Sequence, residues 1–97
     1  MKYIFVSTLT PPGPTGSKGI DREAILETNR KLRSVIASEQ VTLVDTYPLF
    51  VGHEAEYVSA DGLHLRPAGY QSIAEAFFAA IKATVPQTPL SLVNGLR

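Results

Sequence analysis

Two short runs rich in β-branched and aromatic residues, 3–9 and 41–44, frame one long amphipathic segment in a chain of 97 residues. Strand, connection with a helix, strand is a βαβ unit, whose two strands run parallel through a right-handed crossover. The first run, Tyr3-Ile4-Phe5-Val6-Ser7-Thr8-Leu9, lacks strict alternation, which predicts a strand covered on both faces. It ends in Thr10-Pro11-Pro12-Gly13-Pro14-Thr15-Gly16-Ser17-Lys18-Gly19, where neither helix nor sheet ladder can persist. Asp21 is placed to cap a helix over residues 22–38. Its stripe of Ile25, Asn29, Leu32 and Ile36, with Val35 beside it, repeats at helical spacing. Asn29, the polar member, is expected to hydrogen-bond neighbouring backbone. Val41-Thr42-Leu43-Val44 forms the second strand, and Asp45 is expected to cap backbone at its end.

Residues 46–60, with Pro48, Gly52, Tyr47 and Tyr57, read as a loop. A last helix is predicted from Pro67 to Ala83, with Tyr70, Ile73, Ala74, Phe77 and Ile81 as its apolar stripe. Pro67 suits the first helical position, while Arg66 stands where a Ser, Thr or Asn cap would be expected. At 97 residues the chain is one small domain at most. In the tail, 86–97, two prolines separate scattered apolar residues, so it is either disordered or docked on a partner chain.

Nine basic and nine acidic residues give zero net charge, which removes the electrostatic footprint that nucleic acid or an anionic membrane surface would need. Cysteine is absent, excluding disulfides and thiolate chemistry. No stretch approaches the roughly 20 apolar residues of a membrane helix. No signal-peptide core opens the chain, so as written it reads as soluble and cytoplasmic. The chain also begins almost directly with a strand, as a fragment of a longer protein would.

The chemistry is concentrated in Ser59-Ala60-Asp61-Gly62-Leu63-His64-Leu65, between the second strand and the last helix. In an open parallel sheet this lies beyond the carboxyl ends of the strands, where sites are built. Gly62 allows a tight turn that brings Asp61 and His64 together. The carboxylate would then fix the imidazole tautomer, free the other ring nitrogen as a general base, and stabilise the imidazolium. Asp-x-x-His alone also has a plain reading, in which Asp61 caps backbone and His64 fills a polar gap. A metal site would need a third ligand that the spacing does not offer.

The surrounding residues make the pair more specific. Asp61-Gly62-Leu63-His64-Leu65-Arg66-Pro67-Ala68-Gly69-Tyr70, followed by Ile73-Ala74-Glu75-Ala76-Phe77, closely resembles the last sequence block of the SGNH (GDSL-type) hydrolases, which are esterases and lipases. The strand end Val6-Ser7-Thr8-Leu9-Thr10-Pro11-Pro12, Asn29-x-x-Leu32-Arg33 and Leu43-Val44-Asp45 extend the resemblance to the C-terminal half of that family. It implies part of a flavodoxin-like three-layer α/β fold, here with two parallel strands and two main helices. It also implies Asp61 as the triad acid and His64 as the base, an ester substrate with a short acyl group, and no cofactor. The family's Gly-Asp-Ser nucleophile block and its oxyanion blocks do not occur in these residues.

Seven serines remain as candidate nucleophiles. Ser34, Ser38 and Ser72 fall in predicted helices, and Ser91 in the tail. Ser17, in a glycine-flanked loop with exposed backbone N–H groups, is the first candidate within the chain, ahead of Ser7 and Ser59. A serine from outside the chain ranks above it, and the favoured reading has no competent nucleophile here. His53 reads as a surface histidine beside Glu54, and Phe50 and Tyr57 either pack or line the acyl side of a pocket. Two hypotheses follow: an SGNH ester hydrolase with an unidentified nucleophile, or an inert truncated remnant. In either, the open edge of the first strand, Tyr3–Leu9, is expected to be covered by a second copy in a homodimer or higher oligomer.

Overall fold

The computed structural model describes residues 3–16, 20–37 and 40–86. Two parallel strands, β1 (Phe5–Ser7) and β2 (Thr42–Val44), are joined by the helix α1 (Arg22–Ala37), and the chain closes with α4 (Pro67–Thr84). Phe5 lies beside Thr42, Val6 beside Leu43 and Ser7 beside Val44, so the expected βαβ unit is present in a mixed α/β fold. Both strands are shorter than the apolar runs that suggested them, although the Ile4 carbonyl and the Thr8 N–H still bond to Thr42 and Val44 of β2. Among the described residues no helix is long and apolar enough to cross a membrane.

Residues 46–60 differ from the expected loop. They form two single helical turns, α2 (Tyr47–Phe50) and α3 (Glu54–Tyr57), separated by Gly52 at a φ of 89°. Pro48 supplies a preset φ in the first turn of α2. Phe50 is fully buried and meets Tyr57 edge-on, with ring centroids 5.0 Å apart, while the His53 ring stacks on Tyr57 at 5.1 Å. Aromatic packing holds two turns that are too short to persist by backbone bonds alone.

At the carboxyl ends of β1 and β2 a set of buried polar side chains joins the strands. Thr8 Oγ1 donates to Asp45 Oδ1 at 3.0 Å and accepts from the Tyr47 N–H at 3.1 Å. Thr46 Oγ1 donates to the Thr8 carbonyl at 3.0 Å and lies 2.8 Å from Ser7 Oγ. Asp45 does not cap backbone as expected; its carboxylate takes the Arg33 guanidinium of α1, at 2.9 and 3.2 Å, together with the Thr8 hydroxyl. The reason is position: α1 passes over this end and brings a cation within reach.

Asn29 does what its place on the stripe suggested. Its amide is 1% exposed, accepts the Leu9 N–H at 2.8 Å and donates to the Leu9 carbonyl at 2.9 Å. It thus pairs with both backbone groups of one residue, as a neighbouring strand would. Ile25 is buried beside it, whereas Leu32 and Ile36 are half-buried and Val35 is exposed.

The start of α4 carries no side-chain cap at Arg66. Instead the Arg66 N–H donates to the Tyr57 carbonyl at 2.8 Å, and Gly69 lies so close that a Cβ there would sit 2.3 Å from that oxygen. Close approach to α3 therefore orients this helix, and its expected apolar stripe is only partly covered. Ile73 and Phe77 are half-buried, while Tyr70, Ala74 and Ile81 are exposed.

The Asn29 amide is the sharpest test of this packing. Replacing Asn29 with Leu keeps the branched shape but takes the partner of the part-buried Leu9 N–H and carbonyl away, a loss on the order of 1–2 kcal/mol. Urea denaturation should show this as a lower midpoint with an unchanged slope, and an unchanged midpoint would refute the role assigned to Asn29.

Candidate active site

Residues 58–65 form a narrow loop closed at its base. Val58 and Leu65 make an isolated antiparallel bridge, and the Ser59 N–H donates to the His64 carbonyl at 2.7 Å. At the tip the Gly62 N–H donates to the Ser59 carbonyl at 3.0 Å, and Gly62 has a φ of 83°, the left-handed region that glycine enters without cost. Arg66 braces the base by donating from Nε to the Val58 carbonyl at 3.1 Å.

Asp61 stands at the tip with its two carboxylate oxygens in different roles. Oδ1 accepts from Ser59 Oγ at 2.8 Å, the Leu63 N–H at 2.8 Å and the His64 N–H at 2.9 Å. Oδ2 faces His64 Nδ1 in direct hydrogen-bond contact. The His64 ring, contacted first, and then the Leu63 N–H, the Ser59 hydroxyl and the His64 N–H hold the Asp61 carboxyl well below the usual carboxylate range. The Asp61 side chain is 28% exposed and that of His64 64% exposed. Capping of backbone and pairing with the imidazole therefore occur together, one on each oxygen.

The proline–glycine loop backs this turn. The Gly13 N–H donates to the Gly62 carbonyl at 3.0 Å, and Thr15 Oγ1 to the Ala60 carbonyl at 3.4 Å. Gly16, at a φ of 95°, passes so close to Asp61 that a Cβ would fall 2.1 Å from its carbonyl carbon. The loop leaving the carboxyl end of β1 thus sets the height of the Asp61 turn. Its composition announced a loop but gave no sign of this contact, because the partner lies more than 40 residues away.

Beside the turn is a recess of roughly 90 Å³, walled by Leu9, Pro11, Pro12, Ile20, Ile25 and Leu63. It is largely apolar and adjoins the Gly62–Leu63 side of the loop. Phe50 and Tyr57 pack against each other and do not line it. His53 is half-exposed on the surface, with Glu56 Oε2 3.6 Å from Nδ1.

Of the serines, Ser7 Oγ is occupied by the Thr8 carbonyl and Thr46, and Ser59 Oγ donates to Asp61. Ser34 and Ser72 lie on α1 and α4. Ser17, Ser38 and Ser91 lie outside the described residues. Among the described residues no serine hydroxyl bonds to the His64 ring, and no group of three His, Cys, Asp or Glu side chains gathers that could hold a metal.

The chain is 38% identical over 52 residues to the spore germination lipase LipC of Bacillus licheniformis, a match covering 54% of this chain and 24% of the lipase. The matched segment thus spans about a quarter of that protein, and it relates this chain to a lipase or esterase. No protein-family model matches the sequence, and no solved structure matches it.

Because the Asp61 carboxyl is depressed in the folded chain, its contribution to stability is complete above its ordinary value of 3.8 and is lost as pH falls below it. Thermal unfolding of the wild type and Asp61→Asn across pH should show a Tm difference that is present above that value and narrows below it. A constant difference would refute the ionic role of Asp61.

Proposed function

We propose that this chain carries the acid–base part of an SGNH-type serine ester hydrolase acting on short acyl esters, with residues 1–85 corresponding to the C-terminal half of such a domain. The observation that carries the reading is the division of labour on Asp61: Oδ1 is held by three donors, and Oδ2 meets His64 Nδ1. With the carboxylate on Nδ1, the outer ring nitrogen is left to take a proton from an attacking hydroxyl. Asp61 stabilises the resulting imidazolium, which then returns the proton to the leaving alkoxide. The small apolar recess beside Leu63 suits the acyl portion of such a substrate. Similarity to a lipase supports the same class of chemistry.

The nucleophile comes either from Ser17 or from a serine outside this chain. A second reading, an inert remnant that folds as an oligomer, is favoured by one observation: no described serine faces His64. Treating the purified chain with a fluorophosphonate and a short p-nitrophenyl ester separates the two. An enzyme should give one labelled serine and turnover that falls by about 10³-fold or more in His64→Ala. No labelling and no His64-dependent turnover would leave the inert remnant.

Either reading needs the open edge of β1 covered, and we infer that a second copy covers it. Ile4 and Thr8 bond to β2 through Thr42 and Val44, so alternation turns the Phe5 and Ser7 peptide groups away from β2. Pairing Phe5 with Ser7 of a two-fold-related copy would satisfy both, and no charged residue lies between Tyr3 and Thr10 to oppose it. Sedimentation at micromolar concentration should give a dimer, and Ile4→Lys should shift it to monomer. A monomeric wild type would overturn this pairing.

A further inference from the structure

We propose that Ser59 is a positioning residue for the Asp61–His64 pair, fixing which carboxylate oxygen meets the imidazole and thereby which ring nitrogen holds the proton. The inference rests on reading that pair as acid and base, and adds to it a residue from the other limb of the turn.

A carboxylate on a turn tip can exchange its two oxygens by rotation about one bond. At Asp61 that exchange is opposed by donors from both sides of the turn. The Leu63 and His64 N–H groups come from the limb that follows, and the Ser59 hydroxyl from the limb that precedes. Two of these donors are backbone groups present whatever the side chains. Ser59 is the only side-chain donor to Oδ1 among the described residues, so the third restraint depends on this residue.

The hydroxyl is delivered from a fixed frame. The Ser59 N–H is committed to the His64 carbonyl at 2.7 Å, and its carbonyl to the Gly62 N–H at 3.0 Å, so little backbone freedom remains. The same geometry argues against Ser59 as nucleophile. Its proton points at Asp61, and no hydrogen bond joins its oxygen to the His64 ring. The serine nearest the pair in sequence therefore acts through the acid.

The consequence is a tautomer. With Oδ2 held toward Nδ1, neutral His64 keeps its proton on Nδ1 and leaves Nε2 as the basic nitrogen. If Asp61 rotates, the ring loses its fixed partner and the proton distributes over both nitrogens.

The test is long-range ¹H–¹⁵N correlation of the imidazole in the ¹⁵N-labelled full chain, recorded at alkaline pH where the imidazole is neutral. The wild type should show a single Nδ1–H tautomer, Ser59→Ala a mixture, and Ser59→Thr, which keeps the hydroxyl, the single tautomer again. Should Ser59→Ala fail to fold, Ser59→Cys, with a weak thiol donor, should give a mixture. A folded Ser59→Ala or Ser59→Cys chain with the wild-type tautomer would overturn the proposal, as would a wild type lacking the Nδ1–H form. The readout needs no turnover, so an absence of His64-dependent ester hydrolysis would count against the enzymatic reading and leave this one standing.

Discussion

The buried polar junction at the carboxyl ends of the two strands is the constraint from which the rest of the structure follows. Thr8, Thr46 and Asn29 are at most 3% exposed, and each finds a partner on a different segment. A buried hydroxyl or amide left unpaired would cost about 1–3 kcal/mol, so these contacts are met together or the junction opens. Meeting them fixes three things at once: the register of β1 on β2, the lie of α1 through Asn29 and Arg33, and the direction in which the chain leaves β1. That last direction carries the proline–glycine loop against the Asp61 turn.

The turn has its own logic. Its bonds run between residues at most eight positions apart, with one external support from residues 13–16. Gly62 supplies the left-handed backbone, and Asp61 gathers the amides that follow it. The plain reading of Asp-x-x-His as a backbone anchor and the chemical reading as an acid–base pair are not competitors here. The anchor uses one oxygen, and immobilising that oxygen is what holds the other in place for His64.

Much of this was legible in the sequence, and the pattern of what was not is physical. Local signals came through: the helical stripe on α1, the polar Asn29 that had to meet backbone, the glycine in the Asp61 turn, and proline opening α4. What escaped depended on contacts across long stretches of chain. Thr8 and Thr46 look like ordinary strand-flanking residues, and nothing in either shows that a partner waits 38 positions away. The single turns at Tyr47–Phe50 and Glu54–Tyr57 are held by a ring pair that short-range propensity does not register. Asp45 looked like a local cap because the sequence did not show that Arg33 would pass over it. Gly69 reads as a poor helix former, and its use, close approach to the Tyr57 carbonyl, appears only once both segments are placed.

The same separation between local and distant contacts explains how an ordered site coexists with poorly covered helices. Tyr70, Phe78 and Ile81 fall on one side of α4 at separations of eight and eleven residues, and all three are exposed. Tyr3 and Ile4 are exposed beside the open edge of β1. Two strands offer too little sheet for two long helices to lay their full apolar stripes on, so each helix buries what it can reach. The Asp61 turn does not share that shortage, because directional bonds within one loop hold it and no large apolar area is needed. The contact between Asp61 and His64 can therefore be fully formed while the surfaces around it still lack neighbours.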